Sequence, residues 1–242
     1  MVLLAIFPHP DDESFGPAPA LARLMREGHA VHLLTLTHGE ATQERFRLGL
    51  SKAEMGVQRR REMACVELTL GLASMEVLDL PDGELAALDP RGVEAPIREA
   101  ILRTQPDVVF TYPVHGISGH ADHLVTHAAV KRVFAEMRDD AAAPLRRLVF
   151  FGLAPSDDAA RASHLRATPL ERFAGTMTVS EADLAVSAQA LECYTTYAEV
   201  VKRHDPLRQV EAGLWFELFD EPAAPARTHL LEGLEERGGM GE

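Results

Sequence analysis

Short apolar runs alternate with helix-length amphipathic segments over about the first 150 residues, and this alternation constrains the fold more than any other feature. The predicted strands are 2–7 (VLLAIF), 30–36, 75–80, 107–112 and 147–153. The predicted helices lie between them, at 17–28, 55–70, 92–104 and 121–138. Strands that alternate with helices in this way form a parallel sheet covered on both faces. The sequence therefore predicts an α/β fold: a Rossmann-like three-layer sandwich with a mostly parallel sheet of strand order 3-2-1-4-5.

The alternation of strands and helices ends after residue 154, where we expect C-terminal additions to that sheet. A long helix is predicted near 180–203, because Ser180 and Asp183 resemble a capping box at its start. A final strand is predicted at 209–219. We therefore expect one domain over residues 1–220 and a C-terminal tail, 221–242, that is partly disordered.

Composition and charge limit the classes of partner. The chain has 242 residues and a formal net charge of −13, which argues against binding nucleic acid or an anionic membrane. No apolar run is long enough to span a membrane, and residues 1–7 lack the basic region of a signal peptide. We therefore expect a cytoplasmic protein in which Cys65 and Cys193 are reduced, buried thiols.

Two clusters of histidine and carboxylate residues follow the first and the fourth predicted strands. The first cluster is His9-Pro10-Asp11-Asp12-Glu13, and the second, at 112–123, ends in His120-Ala121-Asp122-His123. In open α/β sheets, ligands bind outside the carboxyl ends of the strands, at the point where the strand order reverses. If the first and fourth strands are neighbours, both clusters lie in one crevice.

The spacing within these clusters indicates a metal site. His9 and Asp12 are three residues apart, so one turn can aim both at a point, and His120 and His123 share a helix face. Two imidazoles and a carboxylate with room for water are typical of catalytic zinc. A divalent cation would also explain why Asp11 adjoins Asp12: one carboxylate binds the ion and the other stays free as a base. The remaining histidine would lie where an oxyanion forms.

Other interpretations stay open at this point. Residues 11–13 could be an acidic N-terminal helix cap, and His120 and His123 could be ordinary surface histidines. His123 and His127, four residues apart, are also a plausible metal pair. A site with two histidines and a carboxylate suits non-haem iron oxygenases, and a non-catalytic module that binds metal or sugar is a third class. No GxGxxG motif follows the first strand, which argues against nucleotide binding.

The residues of both clusters resemble those of the PIG-L/LmbE-like zinc deacetylases, which remove acetyl groups from N-acetylglucosaminyl substrates. The resemblance extends over about residues 2–135 and is weak beyond them. It rests mainly on PHPDDE (8–13) and HADH (120–123), and is supported by LTHGEA (36–41), RRREMACVELTLG (59–71) and LPDGEL (80–85). Ala121 stands where proline is common in the family, and a helix start tolerates either residue.

The resemblance implies that His9, Asp12 and His123 hold the metal, which would be Zn²⁺, with Fe²⁺ as an alternative in cells. It implies that Asp11 is the general base that activates water and later protonates the leaving amine.

The resemblance also assigns four further side chains. His120 would stabilise the oxyanion, with Asp122 as the carboxylate that orients its ring and keeps it cationic. Arg59 resembles the family's substrate-contacting arginine, and Asp82 resembles a position that hydrogen-bonds sugar hydroxyls.

A small N-acetylated amino sugar is the substrate class that the resemblance implies. Within that class it favours N-acetylglucosaminyl malate, the substrate of a bacillithiol-type pathway. Tyr194 and Tyr197 stand where family members often carry His and Gln, which weakens any inference about that side of the pocket. A homo-oligomer is compatible with the sequence.

Overall fold

The computed structural model describes residues 1–155, 164–221 and 226–235, and within them one seven-stranded sheet forms the centre of the molecule. The strands are β1 (Val2–Phe7), β2 (Ala30–Thr37), β3 (Ser74–Leu80), β4 (Val108–Thr111), β5 (Arg147–Gly152), β6 (Gly175–Met177) and β7 (Leu214–Leu218). Their order is β3-β2-β1-β4-β5-β7-β6, parallel through β5 and antiparallel for β7 and β6. The predicted α/β fold with order 3-2-1-4-5 and C-terminal additions is confirmed.

Helices cover both faces of the sheet. They are α1 (Ala18–Arg26), α2 (Glu44–Arg47), α3 (Lys52–Leu70), α4 (Pro90–Thr104), α5 (Ala121–Met137), α6 (Glu181–Glu192) and α7 (Ala198–His204). The alternation of side chains along β1 feeds two separate cores: Phe7 packs in one, and Ile6 packs in the other. Because β1 is buried on both faces, its sequence is apolar throughout, as in the central strands of parallel sheets.

The predicted helix over 180–203 is divided in the structure. α6 ends at Glu192, the chain turns through Tyr194 (ψ 69°), and α7 begins at Ala198. Glu62 of α3 stabilises this break, because its carboxylate accepts hydrogen bonds of 2.7–2.8 Å from the Thr195 hydroxyl and from the amide and hydroxyl of Thr196. The prediction of one helix was wrong because these contacts come from a segment distant in sequence.

The final strand is shorter than predicted. β7 covers Leu214–Leu218 rather than 209–219, because a 3-10 helix occupies Pro206–Gln209 and Gly213 adopts a φ of 122°. β6, which pairs with β7, was not predicted; with three residues it is too short to leave a periodic pattern.

The two cysteines form a disulfide between Cys65 of α3 and Cys193, the residue that follows α6. The prediction of two reduced thiols is therefore wrong for this structure. Composition gave no indication of the pairing, because only the packing of α3 against α6 brings these residues together over a sequence separation of 128.

Part of the predicted tail lies against the sheet. Gly175 of β6 forms a parallel bridge with Arg227, and Leu230 is completely buried. The Arg147 side chain donates a hydrogen bond of 2.6 Å to the Leu230 carbonyl. Residues 226–235 therefore belong to the folded unit, whereas residues 222–225 and 236–242 of the expected tail (221–242) lie outside the described residues.

None of the helices in the described part of the chain combines the length and the apolar character that a membrane-spanning segment requires.

Candidate active site

The two clusters predicted from the sequence meet at the carboxyl ends of β1 and β4, which are neighbours in the sheet. The ring centroids of His9 and His123 are 5.3 Å apart, and those of His9 and His120 are 4.8 Å apart. The topology of the sheet therefore brings together residues that are more than a hundred positions apart in sequence.

Three carboxylates surround the His9 ring. Its Nε2 lies 3.1 Å from Asp122 Oδ2 and 3.2 Å from Asp82 Oδ1, and its Nδ1 lies 3.3 Å from Asp12 Oδ2. Burial opposes the charged form of His9, but the hydrogen bonds that its ring donates to these carboxylates outweigh it and raise the pKa of the ring well above its ordinary value. The surroundings of His9 therefore favour positive charge.

Asp12 joins the two halves of the cluster. Its Oδ1 lies 3.4 Å from His123 Nε2 and accepts a 2.6 Å hydrogen bond from the Tyr112 hydroxyl, and its Oδ2 accepts one of 2.8 Å from the His9 amide. Burial opposes ionisation, but His123 and His9 more than offset it and hold the pKa of Asp12 well below its usual range. Asp12 is therefore an ionised acceptor placed between two imidazoles.

The turn before α5 fixes the His123 ring. His123 Nδ1 donates to the Gly116 carbonyl over 2.9 Å, and this leaves Nε2 directed to Asp12. Gly116 has a φ of 60°, and a Cβ there would lie 2.7 Å from the Cβ of His123. Only glycine fits this position without moving the histidine.

The donor set fits a divalent metal ion. Ring nitrogens of His9, His120 and His123 lie within 4.8 Å of one another, as do donor atoms of His9, Asp82 and Asp122. Asp12 adjoins these donors through both of its oxygens: Oδ2 lies 3.3 Å from His9 Nδ1, and Oδ1 lies 3.4 Å from His123 Nε2. The assignment of His9, Asp12 and His123 as the ligands, rather than a set with His120, stays a prediction.

Asp11 lies beside this cluster in an unusual conformation. Its φ is 91°, and its amide donates a 2.9 Å hydrogen bond to the Tyr194 hydroxyl. Its Oδ2 accepts a 2.7 Å hydrogen bond from Arg59 Nη2. Burial raises the pKa of Asp11 to about 6 against the opposing effect of Arg59. This pKa suits a group that takes and returns a proton near neutral pH.

Arg59 lies directly beneath Asp11, to which it donates a hydrogen bond, and is only 1% exposed. Its Nη2 also donates to the Pro10 carbonyl, and its guanidinium carbon lies 4.0 Å from the centroid of the Tyr197 ring. Nε and Nη1 have no hydrogen-bond partner among the described residues. The structure thus shows contacts of Arg59 with Pro10 and Asp11, and the predicted contact of Arg59 with substrate stays a prediction.

His120 and Asp122 do not form the predicted carboxylate–imidazole pair. The carboxylate of Asp122 instead accepts from the amides of Gly83 (2.7 Å) and Leu85 (3.1 Å) and contacts His9, because the loop after β3 packs on the start of α5. His120 Nδ1 accepts from the Asp122 amide over 3.2 Å. Burial and the neighbouring His9 and His123 lower the pKa of His120, so the expected cationic ring is neutral at pH 7.

Asp82 and His127 both form hydrogen bonds with the protein backbone. Asp82 Oδ2 accepts a 2.6 Å hydrogen bond from the Ala41 amide while Oδ1 contacts His9, and the predicted contact of Asp82 with sugar stays untested. His127 Nδ1 donates to the Tyr112 carbonyl over 2.9 Å, and its ring packs on Phe150. Neither contact of His127 is with the histidine cluster.

No firm role was predicted from the sequence for three contributors, Tyr112, Glu13 and Tyr194. Tyr112 stacks on His123 with 4.1 Å between ring centroids, besides its bond to Asp12. Glu13 is completely buried, and its Oε1 accepts from the Tyr194 hydroxyl, which had been given no firm role. Tyr112 could have been found as the last residue of a predicted strand before a polar loop. The Tyr194–Glu13 contact, over 181 residues, had no sequence signal.

Two cavities adjoin the cluster. The polar cavity, of about 530 Å³, is lined by residues that include His9, Gln43, Arg59, Asp82 and His120. A second cavity, of about 400 Å³, lies between the cluster and the C-terminal part of the chain.

A family model described as PIG-L, GlcNAc-PI de-N-acetylase, matches residues 4–134. A relative from Kineococcus radiotolerans, named as a 1D-myo-inositol 2-acetamido-2-deoxy-α-D-glucopyranoside deacetylase, is 32% identical over 157 residues. That match covers 54% of this chain and 44% of the relative. The chain spans about half the length of the curated relatives it matches.

Solved structures share the fold at low sequence identity. A deacetylase of the teicoplanin biosynthesis pathway, in complex with bog, has a TM-score of 0.69 at 18% identity and covers 92% of this chain and 100% of its own. The 4-carboxy-2-hydroxymuconate hydratase from Pseudomonas putida has a TM-score of 0.67 at 15% identity and covers 94% and 99%. The fold is thus shared by proteins named for different reactions.

Proposed function

The chain belongs to the PIG-L family, and from that premise we propose that it is a metal-dependent hydrolase that removes the N-acetyl group from a small N-acetylglucosamine conjugate. One observation carries the proposal: Asp11, with a pKa raised to about 6, lies beside a cluster of imidazoles and carboxylates that fits a divalent cation. A free carboxylate next to such a cluster suits hydrolysis of an amide.

His9, Asp12 and His123 would hold the ion, which we propose to be Zn²⁺, or Fe²⁺ in cells. A divalent ion bound there supplies Lewis-acid polarisation of the amide carbonyl and lowers the pKa of water. Asp12 is prepared for this role because the Tyr112 hydroxyl and the His9 amide fix its carboxylate.

Asp11 moves the proton. Arg59 holds Oδ2, so Oδ1 is the oxygen left to accept a proton from the attacking water. The same oxygen then returns the proton to the nitrogen of the amine as the carbon–nitrogen bond breaks. The raised pKa of Asp11 serves both steps, since the group is largely ionised at pH 7 yet remains a usable acid.

His120 stabilises the oxyanion as a neutral donor. Its Nδ1 accepts from the Asp122 amide, which assigns the ring proton to Nε2. Nε2–H can then donate to the carbonyl oxygen as negative charge develops there. In this proposal Asp122 acts on His120 through its backbone amide and on His9 through its carboxylate.

The polar cavity would bind the sugar, and the residues lining it include Arg59, Asp82 and Gln43. Two aglycones are candidates: malate, from the resemblance of the sequence, and myo-inositol, from the names of the matched relatives. A cytoplasmic location also stays a prediction, and the Cys65–Cys193 disulfide is of a kind commoner outside that compartment.

Acetate release tests the proposal. The protein is stripped by a chelator, reloaded with Zn²⁺ or Fe²⁺, and assayed with N-acetylglucosaminides of malate, myo-inositol and methanol. We expect release only after reloading, and loss of release in Asp11→Asn with metal content unchanged. Asp139→Asn, an exposed aspartate remote from the cluster, is the matched control.

Three outcomes would contradict the proposal. Activity that survives complete chelation would contradict the metal dependence. An active Asp11→Asn variant would contradict the role of Asp11 as the base. Oxygen uptake without acetate release would instead favour the oxygenase class.

A further inference from the structure

The second cavity is lined mainly by apolar side chains. Among them are Tyr112, Ile117, Phe151, Leu153, Leu165 and Val200. Tyr112, Ile117, Phe151 and Leu153 are each at most 7% exposed, so these walls belong to the packed core. At about 400 Å³ the cavity reaches the size of a complete small-molecule pocket.

The reacting groups form the wall between the two cavities. Asp11, Asp12 and His123 line both, together with Phe15 and Tyr197. A carbonyl carbon attacked at this wall has one substituent on each side of it. The amine half of an amide and its acyl half would therefore enter different cavities.

The chemistry of the two cavities decides which half enters which. The polar cavity offers the Arg59, Asp82, Thr42 and Gln43 side chains, which suit the hydroxyls of a sugar. Apart from Asp11 and Asp12, the described residues lining the second cavity include no Lys, Arg, Asp or Glu. A sugar or an anionic aglycone would lose hydrogen bonds there, whereas a hydrocarbon chain would not.

His164 and His204 also line the second cavity, with ring centroids 5.4 Å apart, and burial lowers the pKa of His204. An acetyl methyl group would fill only a small part of a cavity of about 400 Å³.

We propose that this second cavity is an acyl cavity, which binds the acyl chain of the scissile amide, and that the substrate class includes amino sugars carrying an unbranched N-acyl chain longer than acetyl. The inference rests on the proposed function and extends it from N-acetyl to N-acyl amides. Water adds to the carbonyl carbon, the carbon–nitrogen bond breaks, and the products are the fatty acid and the free amino sugar.

The test compares methyl 2-acetamido- and methyl 2-hexanamido-2-deoxyglucosides with the zinc-loaded protein. Both release the same amine, so one assay of amine formation serves for both. Each methylene that is buried is worth about fourfold in transition-state binding. We expect kcat/KM for the hexanoyl compound to exceed that for the acetyl compound at least tenfold.

Val200→Trp would narrow the acyl cavity from α7 and should lower the hexanoyl-to-acetyl ratio of kcat/KM tenfold or more. Glu199→Trp places the same side chain on the exposed face of the same helix and should leave the ratio unchanged. Urea unfolding of both variants shows whether they fold, and the chain-length comparison on the unaltered protein stands without them.

The outcomes separate the two proposals. Equal or lower kcat/KM for the hexanoyl compound, with acetate still released from the acetyl compound, overturns the acyl cavity and leaves the proposed function intact. Cleavage of neither compound overturns both. A hexanoyl preference that Val200→Trp leaves unchanged in a folded protein also contradicts the acyl cavity.

Discussion

The two halves of the chain contribute to the site in different ways. The parallel part through α5 supplies every carboxylate and imidazole of the cluster, from His9 to His123. The part of the chain from β5 onward, which includes the antiparallel strands β7 and β6, supplies the Tyr194 hydroxyl, the Tyr197 ring and most of one wall of the second cavity. The parallel half therefore holds the cluster, whereas the C-terminal half shapes the second cavity and contacts the backbone of Asp11.

The disulfide links these halves, and its loss should have the largest effect. Cys193→Ser should lower the free energy of unfolding by about 2–4 kcal/mol, because the bond closes a long loop in the unfolded chain. Urea unfolding measures the change, and the unaltered protein under reductant should match the variant. Two thiols titrated in unfolded, unreduced protein would contradict the pairing.

Gly116→Ala tests the geometry of the parallel half. The added Cβ would lie 2.7 Å from the His123 Cβ, so we expect affinity for Zn²⁺ to fall by about 10- to 100-fold. Competition with a chelating dye measures the affinity. Gly49→Ala is the matched control, since Gly49 has a similar φ of 67° but no neighbouring atom within 4 Å. Equal losses in the two variants would show that backbone strain, not the histidine, is responsible.

Tyr194→Phe tests whether the C-terminal half affects the chemistry. It removes the hydroxyl that accepts from the Asp11 amide and donates to Glu13. We expect kcat to fall about tenfold with KM little changed, the equivalent of one lost hydrogen bond of about 1–1.5 kcal/mol. Tyr197→Phe, whose hydroxyl contacts Thr42, should change KM instead. The same kinetic change in both variants would remove the distinction.

Asp183→Asn, at the start of α6, should have the smallest effect. Burial raises the pKa of Asp183, but hydrogen bonds with Arg26 and Ser180 outweigh it and hold the pKa below its ordinary value of 3.8. The stabilisation is therefore present above that value and is lost as the pH falls through the lower pKa of the folded state. We expect a loss of about 1 kcal/mol at pH 7, from the capping box, and almost none near pH 2. A difference that stays constant with pH would argue against the ionised carboxylate.

Much of the parallel half could be predicted from sequence because its signals are local. The buried run Val2–Phe7 and the three-residue spacing of His9 and Asp12 are visible without any distant contact. Their meeting with His123 follows from strand order alone.

The C-terminal half could not be predicted as well because distant contacts determine it. The break after α6 is stabilised by Glu62, which is more than 130 positions away in sequence. The same holds for the partner of Asp122: HADH suggested that its carboxylate would orient His120, but the amides of Gly83 and Leu85 hold it against His9.

The bridge between Gly175 and Arg227 has a consequence for self-association. β6 is the outermost strand, and Arg227 satisfies its backbone: the Arg227 amide donates to the Ala174 carbonyl, and the Thr176 amide donates to the Arg227 carbonyl. Unpaired backbone groups on an outer strand are a template for addition of a strand from another molecule. A chain cut at residue 220 would leave these backbone groups of β6 unpaired. We therefore expect residues 226–235 to limit aggregation through strand pairing at this edge of the sheet.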